Sequence, residues 1–232
     1  IRQKMESKNI TVVSYNDLNG KGDGGESLSL QKIDGKRILY IPHRGQQNCL
    51  SVVDVTNPEK PEVLTQLPSP APGFTRCDEL ALSGNVLVVA SQGGTGPTVV
   101  SHILTPENRA KTKAGMWVLD VSNLDRVKNA KKLEDIMFSY FNTGGPHSVG
   151  IHALWFTDGR FAHLASGMPD GDPIEDRDDQ MYVVVDLKDP KNPREAGRWW
   201  LPGTQKSDAC LPGCKPKRLV NSYGGAFRPH EV

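Results

Sequence analysis

Short apolar runs recur along the chain in one fixed phrase. Leu50–Val55 (LSVVDV), Met116–Val121 (MWVLDV) and Tyr182–Leu187 (YVVVDL) each read as a mostly apolar run, an Asp, one more apolar residue and then a polar turn. Two of the three turns are bracketed by prolines, Pro58 with Pro61 and Pro190 with Pro193. The anchors Asp54, Asp120 and Asp186 stand 66 residues apart, and self-similarity at a long period marks a repeat architecture.

Apolar runs this short, bounded by Gly, Pro, Asn and Asp, predict strands rather than helices. Around each anchor the same order of elements is expected. In the first unit, the alternating Glu26–Ile33 turns at Asp34-Gly35 into Arg37–Pro42, the repeat strand follows, and Glu62–Leu67 closes the unit. The second unit runs through Arg76–Ser83, a turn at Gly84-Asn85, Val86–Ser91, a long insertion at Gln92–Gly115 and its repeat strand. Weak helical character over Asn123–Lys132 and a fourth strand over Lys132–Phe138 complete it. The third unit comprises Gly150–Thr157, a turn at Asp158-Gly159, Arg160–Ser166, an acidic loop, Met181–Leu187 and Arg194–Leu201. Thr11–Tyr15 predicts a short leading strand, and Tyr223–Val232 predicts the first strand of a fourth unit.

Four short strands per unit predict an all-β fold, a β-propeller of four-stranded blades. About three and a half blades are visible: 26–67, 76–138, 150–202 and the start of the next at 223–232, so that 1–232 forms a partial propeller. From the turn residues Gly35, Gly84 and Gly159 to the anchors the distances are 19, 36 and 27 residues, which places the variable loops on one rim. A β-sandwich would also show short strands but has no reason to repeat the Asp-turn phrase three times, and a parallel β-helix would have shorter, more regular coils. Propellers usually close with roughly 4–8 blades, so the missing blades are expected from the rest of the chain or from a second chain.

Charge and composition narrow the partners. With 28 basic and 27 acidic residues the net charge is +1, which leaves no electrostatic footprint for nucleic acid. No apolar run approaches the roughly 18–20 residues of a membrane span. The first residues, IRQKMESKN, lack a signal-peptide apolar region, but Ile1 is no natural start, so the compartment stays open. Cys210 and Cys214 close a tight loop either as a disulfide, which would favour a periplasmic or secreted protein, or remain as free thiols. They make a poor zinc half-site, having no second pair at matching spacing. Cys49 and Cys77 are expected as buried small hydrophobes.

The phrase VVDVTNPEKP resembles the LVIVD-repeat proteins, a β-propeller family named for such a strand. GRWWLPG at Gly197–Gly203, the GIHALW strand and the terminal FRPHEV extend the resemblance over nearly the whole chain from Thr11 onward. It implies histidines near the starts of blade strands. In propellers that resemble selenium-binding protein, pore-facing histidines hold a metal; this chain lacks the CxxC redox pair. The family carries no single reaction, and fold alone does not assign one.

First strands line a propeller's channel, and their residues alternate between the two faces of the sheet. Counting back from each turn glycine aligns Leu28, Cys77 and His152, with His230 in the corresponding strand of the unfinished unit. His43 follows the end of a second strand. Imidazoles converging from several blades are what a divalent transition metal (Fe, Zn, Cu or Mn) requires. His43, His152 and His230 are therefore the candidate metal ligands, and Asp78 and Glu79 the candidate catalytic carboxylates of an open site able to activate water. His147 and His102 fall in loops and His163 in mid-strand. The acidic Asp170–Asp179 does not match the EF-hand spacing and reads as a solvated rim loop. Gly93–Gly96 lacks the Lys-Ser/Thr of a phosphate loop, and no Ser/His/Asp order stands out. Trp199-Trp200 is expected to pack between blades and Arg198 to lie at the surface. Two functions follow: a metal-dependent enzyme acting on a small molecule at the channel mouth, be it a lyase, hydrolase or oxidase, or a non-catalytic surface or periplasmic propeller serving as a protein-interaction platform.

Overall fold

The computed structural model describes residues 8–21, 23–45, 47–94, 105–174 and 180–208. His102, His230, Cys210, Cys214 and the strand expected at Tyr223–Val232 lie outside these residues. The described chain is all-β, built as three antiparallel sheets in which strands neighbour one another largely in chain order. The first sheet holds β1 (Ser29–Ile33), β2 (Lys36–Pro42), β3 (Asn48–Asp54) and β4 (Glu62–Pro68). The second holds β5 (Thr75–Arg76) and β6 (Leu80–Ser83), both paired with β7 (Val86–Gly93), then β8 (Gly115–Asp120) and β9 (Met137–Asn142). The third holds β10 (Ile151–Trp155), β11 (Phe161–Ser166), β12 (Met181–Asp186) and β13 (Arg194–Trp199).

Tight turns set the register. At Asp34-Gly35 both residues take positive φ, 51° and 73°, the requirement of a two-residue turn whose twist matches its flanking strands. Each anchor Asp ends its strand in the same way. Asp54, Asp120 and Asp186 accept from the backbone N–H two residues on, at 2.9, 3.0 and 2.8 Å. Each also pairs with a cation from a different position: Lys36 at 2.8 Å, Arg126 at 3.0 Å and Arg160 at 3.0 Å. Lys36 first, and then Thr56, hold the Asp54 carboxyl down to about 2.

The repeat phrase also sorts its residues between neighbours, because strand side chains alternate. Two and four residues before the anchor, Leu50 and Val52 of the first sheet and Met116 and Val118 of the second point towards the following sheet. One and three residues before it, Leu119 and Trp117 of the second sheet and Val185 and Val183 of the third point towards the preceding one. Two cores result. Ile38, Tyr40, Leu50 and Val52 meet Leu87, Val89, Trp117 and Leu119 between the first and second sheets. Val88, Met116 and Val118 meet Leu164, Met181, Val183 and Val185 between the second and third.

Several expectations change. The first strand of the second unit is not continuous: Cys77 leaves the ladder to bridge His43, and the strand resumes at Leu80. Cys49 and Cys77 are fully buried as expected, yet they are joined in a disulfide that ties β3 to the second unit. α1 (Pro106–Lys111) lies in the long insertion, and the helical segment expected over Asn123–Lys132 is α2 (Leu124–Asn129), capped by Asn123, whose side chain accepts from Arg126 N at 2.8 Å. A 3-10 turn at Leu133–Ile136 buries its two apolar ends, so the fourth strand starts only at Met137. Thr11–Tyr15 joins no sheet and leaves Val12, Val13 and Tyr15 exposed. Trp200 packs against the second core, but Trp199 is 55% exposed. Arg198 pairs with Glu195 at 2.6 Å and Asp170 at 2.7 Å. No helix among the described residues is long and apolar enough to cross a membrane.

Candidate functional site

The interruption between β5 and β6 is where charged side chains enter the interior. Arg76, Asp78 and Glu79 are all buried there. Residues two apart in an extended segment share a face, so Arg76 and Asp78 stand side by side, Arg76 Nη2 lying 2.6 Å from Asp78 Oδ2. The same guanidinium donates through Nε and Nη2 to Gln92 Oε1, at 3.2 and 2.6 Å. On the third sheet His152 Nδ1 lies 3.4 Å from that oxygen. On the first, Arg44 Nε stands 4.0 Å from Asp78 Oδ1 and its Nη1 pairs with Glu26 at 2.8 Å. The result is one polar chain, His152–Gln92–Arg76–Asp78–Arg44–Glu26, that touches all three sheets.

Asp78 is the anomaly in this chain. Its side chain is 2% exposed and neither carboxylate oxygen accepts a well-formed hydrogen bond. Burial pushes its carboxyl up to about 6, overcoming the downward pull of Arg76 and then Arg44. Gln92 Nε2, also buried, has no acceptor among the described residues. Asp78 is held by its ion pair with Arg76, whereas a buried amide N–H with no acceptor, like that of Gln92, requires a reason, and a ligand site is one such reason.

The remaining expected residues are placed differently. Glu79 Oε2 accepts from Leu154 N at 2.6 Å, so this carboxylate stitches the second sheet to β10. His43 is fully buried and both ring nitrogens are engaged: Nδ1 with Asp23 Oδ1 and Nε2 with Ser51 Oγ, each at 2.7 Å. Ser51 Oγ in turn accepts from Gln66 Nε2 at 3.0 Å. Carboxylate, imidazole and hydroxyl thus form a line that the sequence order conceals. Ser51 is fully buried within β3, out of reach of a substrate. His163 donates to or accepts from Tyr182 OH at 2.6 Å, and His147 lies 3.8 Å from Asp172.

Among the described residues, no group of three or more His, Cys, Asp or Glu is assembled to hold a metal ion. The donors present do not fit one: a guanidinium lies against Asp78 where a cation would have to bind, and His43 has no ring nitrogen to offer. His230, the third expected ligand, is outside the described residues.

A cleft of about 370 Å3 runs beside the network, lined by the first strands of all three sheets, with Glu26, Leu28, Glu79, Ala81, Trp155 and Thr157 in its walls. A larger one, about 740 Å3, opens between α1 (Pro106–Lys111) and the loop that carries His147. There Arg109 donates to the Pro146 carbonyl. Arg76, Gln92, Arg44 and Asp23 do not stand out in the sequence. The two-residue spacing of Arg76 from Asp78, which puts both on one face of an extended segment, is the signal in the sequence that points to Arg76.

Comparison with known proteins adds no assignment. No family model matches the chain, and no curated protein matches it. Among solved structures, similarity is found to the dihydro-heme d1 dehydrogenase NirN in complex with DHE, with TM-score 0.45 and 20% identity over 78% of this chain and 28% of that one. A Mycobacterium tuberculosis puromycin-hydrolyzing peptidase is similar with TM-score 0.43 and 18% identity, over 76% of this chain and 24% of that one. The chain therefore spans about a quarter of the length of either.

Proposed function

We infer that the three sheets are blades of an LVIVD-type β-propeller, and that the channel-side cleft with the buried Arg76–Asp78 pair is a small-molecule site of an enzyme. The observation that carries this is Asp78: a buried carboxyl pushed up to about 6 and flanked by two guanidiniums, whose chain neighbour Glu79 and the Arg44 partner Glu26 line the cleft between the first strands. A group that titrates near neutrality both gives and takes protons at physiological pH, which is the property of a general acid or base. Arg44, half exposed, and Arg76 supply positive charge for an anionic or strongly polar substrate group. His152 and Gln92 anchor Arg76 from the third sheet's side. Lyase and hydrolase chemistry both suit a proton-transfer carboxyl of this kind. The buried Cys49–Cys77 disulfide supports an oxidising compartment, periplasmic or extracellular.

A second reading, the interaction platform, is favoured by the 740 Å3 cleft on the insertion rim. One screen separates the two. Small carboxylates, phosphates and sugars are tested for binding by thermal shift at pH 5–8, with the wild type, Asp78→Asn and His152→Ala. The enzyme reading expects ligands whose affinity follows an apparent pKa near 6 and is lost in Asp78→Asn. Ligands bound equally by all three proteins at every pH would sink it.

A further inference from the structure

Two large apolar side chains stand open in the cleft between the first strands. β6 packs against both β1 and β10, and each neighbour is tied to the second sheet one residue before such a side chain. Ser27 Oγ donates to the Leu80 carbonyl at 3.0 Å and accepts from Leu80 N at 2.8 Å. On the other side Leu154 N donates to Glu79 at 2.6 Å. Side chains alternate along an extended segment, so the next residues, Leu28 and Trp155, turn away from these contacts. They are 63% and 55% exposed and line the same cleft. Ala81 of β6 adds only a methyl group to the lining, and the cleft measures about 370 Å3, within the range of small-molecule sites. Exposed apolar surface gathered in one concave place marks an interaction site.

Charge selects the occupant. The charged side chains in the lining are Glu26 and Glu79, and no Lys, Arg or His is among the described lining residues. Both carboxylates are held in place: Glu79 Oε2 by the Leu154 N–H, and Glu26 Oε1 by Arg44 Nη1 at 2.8 Å. Fixed carboxylates beside apolar walls attract a cation and repel an anion. The indole adds to this preference, since an ammonium group over the face of Trp is attracted by the ring quadrupole. Trp155 is exposed for such a contact, whereas Phe156, the other aromatic residue of the lining, is buried. Arg44 pairs with Glu26 and stands 4.0 Å from Asp78, so positive charge lies outside the cleft, on the Asp78 side. Walls fixed by hydrogen bonds before a ligand arrives lower the entropy lost on binding.

We propose that this cleft binds a small organic amine as its ammonium ion, with an alkyl or aryl body against Leu28 and Trp155 and the charge held by the Glu26 and Glu79 carboxylates. The inference deepens the small-molecule reading of the cleft and rests on it, but not on Asp78 as a proton-transfer group. It gives the ligand a direction. The ammonium group lies in the acidic cleft, and any anionic or strongly polar group on the same molecule points towards Arg44 and Asp78.

The probe is phenethylamine, protonated at neutral pH, compared with the neutral phenethyl alcohol and the anionic hydrocinnamate. Each is titrated into the isotope-labelled full chain at neutral pH while the indole N–H signals of its 4 tryptophans are followed by NMR. The amine should shift the Trp155 signal saturably and bind about 10-fold more tightly than the alcohol, while the anion leaves the signal unmoved. Trp199 is as exposed as Trp155 but lies outside the cleft, so its signal should stay in place. Trp155→Leu should weaken amine binding by about 5-fold and Glu26→Gln by about 3-fold, read by ligand-observed saturation transfer. Both positions reach solvent, so unchanged circular dichroism shows that each variant is folded. Alcohol bound as tightly as amine, Trp199 shifting together with Trp155, or no saturable shift at millimolar amine overturns the proposal. If the amine fails while the screen at pH 5–8 finds ligands that depend on Asp78, this inference falls and the enzyme reading stands. Amine binding with no ligand dependent on Asp78 does the reverse.

Discussion

Replacing Asp78 with Asn isolates the least ordinary group in the protein. The folded carboxyl titrates at about 6 against an ordinary 3.8 because burial outweighs its two arginines. A raised carboxyl pKa means that the folded state holds a proton that the unfolded chain has released. Stability is therefore greatest below pH 3.8 as far as this group is concerned, falls as pH rises from 3.8 to 6, and is level above that. A tenfold difference in proton affinity between the folded and unfolded chain is worth about 1.4 kcal/mol, so the full loss is about 3 kcal/mol. With a side chain 2% exposed, solvent screening removes little of it. Asn mimics the protonated form and cannot titrate. Urea denaturation followed by tryptophan fluorescence from pH 4 to 8 should show the wild type declining by up to about 3 kcal/mol more than Asp78→Asn across pH 4–6. Above pH 7 the variant should be the more stable protein. The opposite outcome, a variant destabilised by several kcal/mol at pH 7.5 with pH profiles that run parallel, would mean that the Arg76 pair dominates. That would refute both the burial argument and the assignment of Asp78 as a proton-transfer group.

Other expectations come from single contacts. The Cys49–Cys77 bond spans 28 residues, so its reduction, or Cys49→Ala with Cys77→Ala, should cost about 3.5 kcal/mol by loop-closure entropy in urea titrations. Reduction that leaves the urea midpoint unmoved would deny that the bond forms. Glu79→Ala strands the buried Leu154 N–H and should cost about 1–3 kcal/mol, whereas Glu79→Gln keeps an acceptor and most of that stability. Equal losses in the two variants would show that the carboxylate acts through its charge instead. Arg160→Ala removes half of an exposed, solvent-screened pair and should leave the urea midpoint essentially unmoved. Asp186→Ala, which also releases the Lys188 N–H and opens the Asx turn, should lower the midpoint more than Arg160→Ala does in the same titration, and an equal response would deny the turn any part in stability.

The legible features are those written locally. Asp54, Asp120 and Asp186 announce their turns because an Asx turn is closed within two residues, and Asp34-Gly35 announces its hairpin because both residues tolerate positive φ. Asp78, Glu79 and His152 stand out as ionisable groups in strand-like surroundings, and all three are buried near the first strands. What joins them is not legible. Gln92 holds Arg76 across a strand pairing, and no spacing in the chain specifies that geometry. His43 looks available in the sequence because its partner, Asp23, sits in a Gly-rich stretch that carries no periodic signal. The disulfide is hidden by the same loss of pattern: Cys77 reads as part of a strand, and only its bridge to His43 draws it towards Cys49. Trp199 departs from expectation for a different reason, since an outer-strand Trp packs between sheets only where a following sheet covers it.

The covalent tie between β3 and the second unit makes the three sheets unequal in their fluctuations. The first and second sheets share a cross-link as well as a core and should open together, near the free energy of global unfolding. Among the described residues the third sheet has no cross-link and only one covered face. Its amides should exchange with solvent sooner, as a separate cooperative unit, and whatever covers Trp199 would be read first in the slowed exchange of β12 and β13.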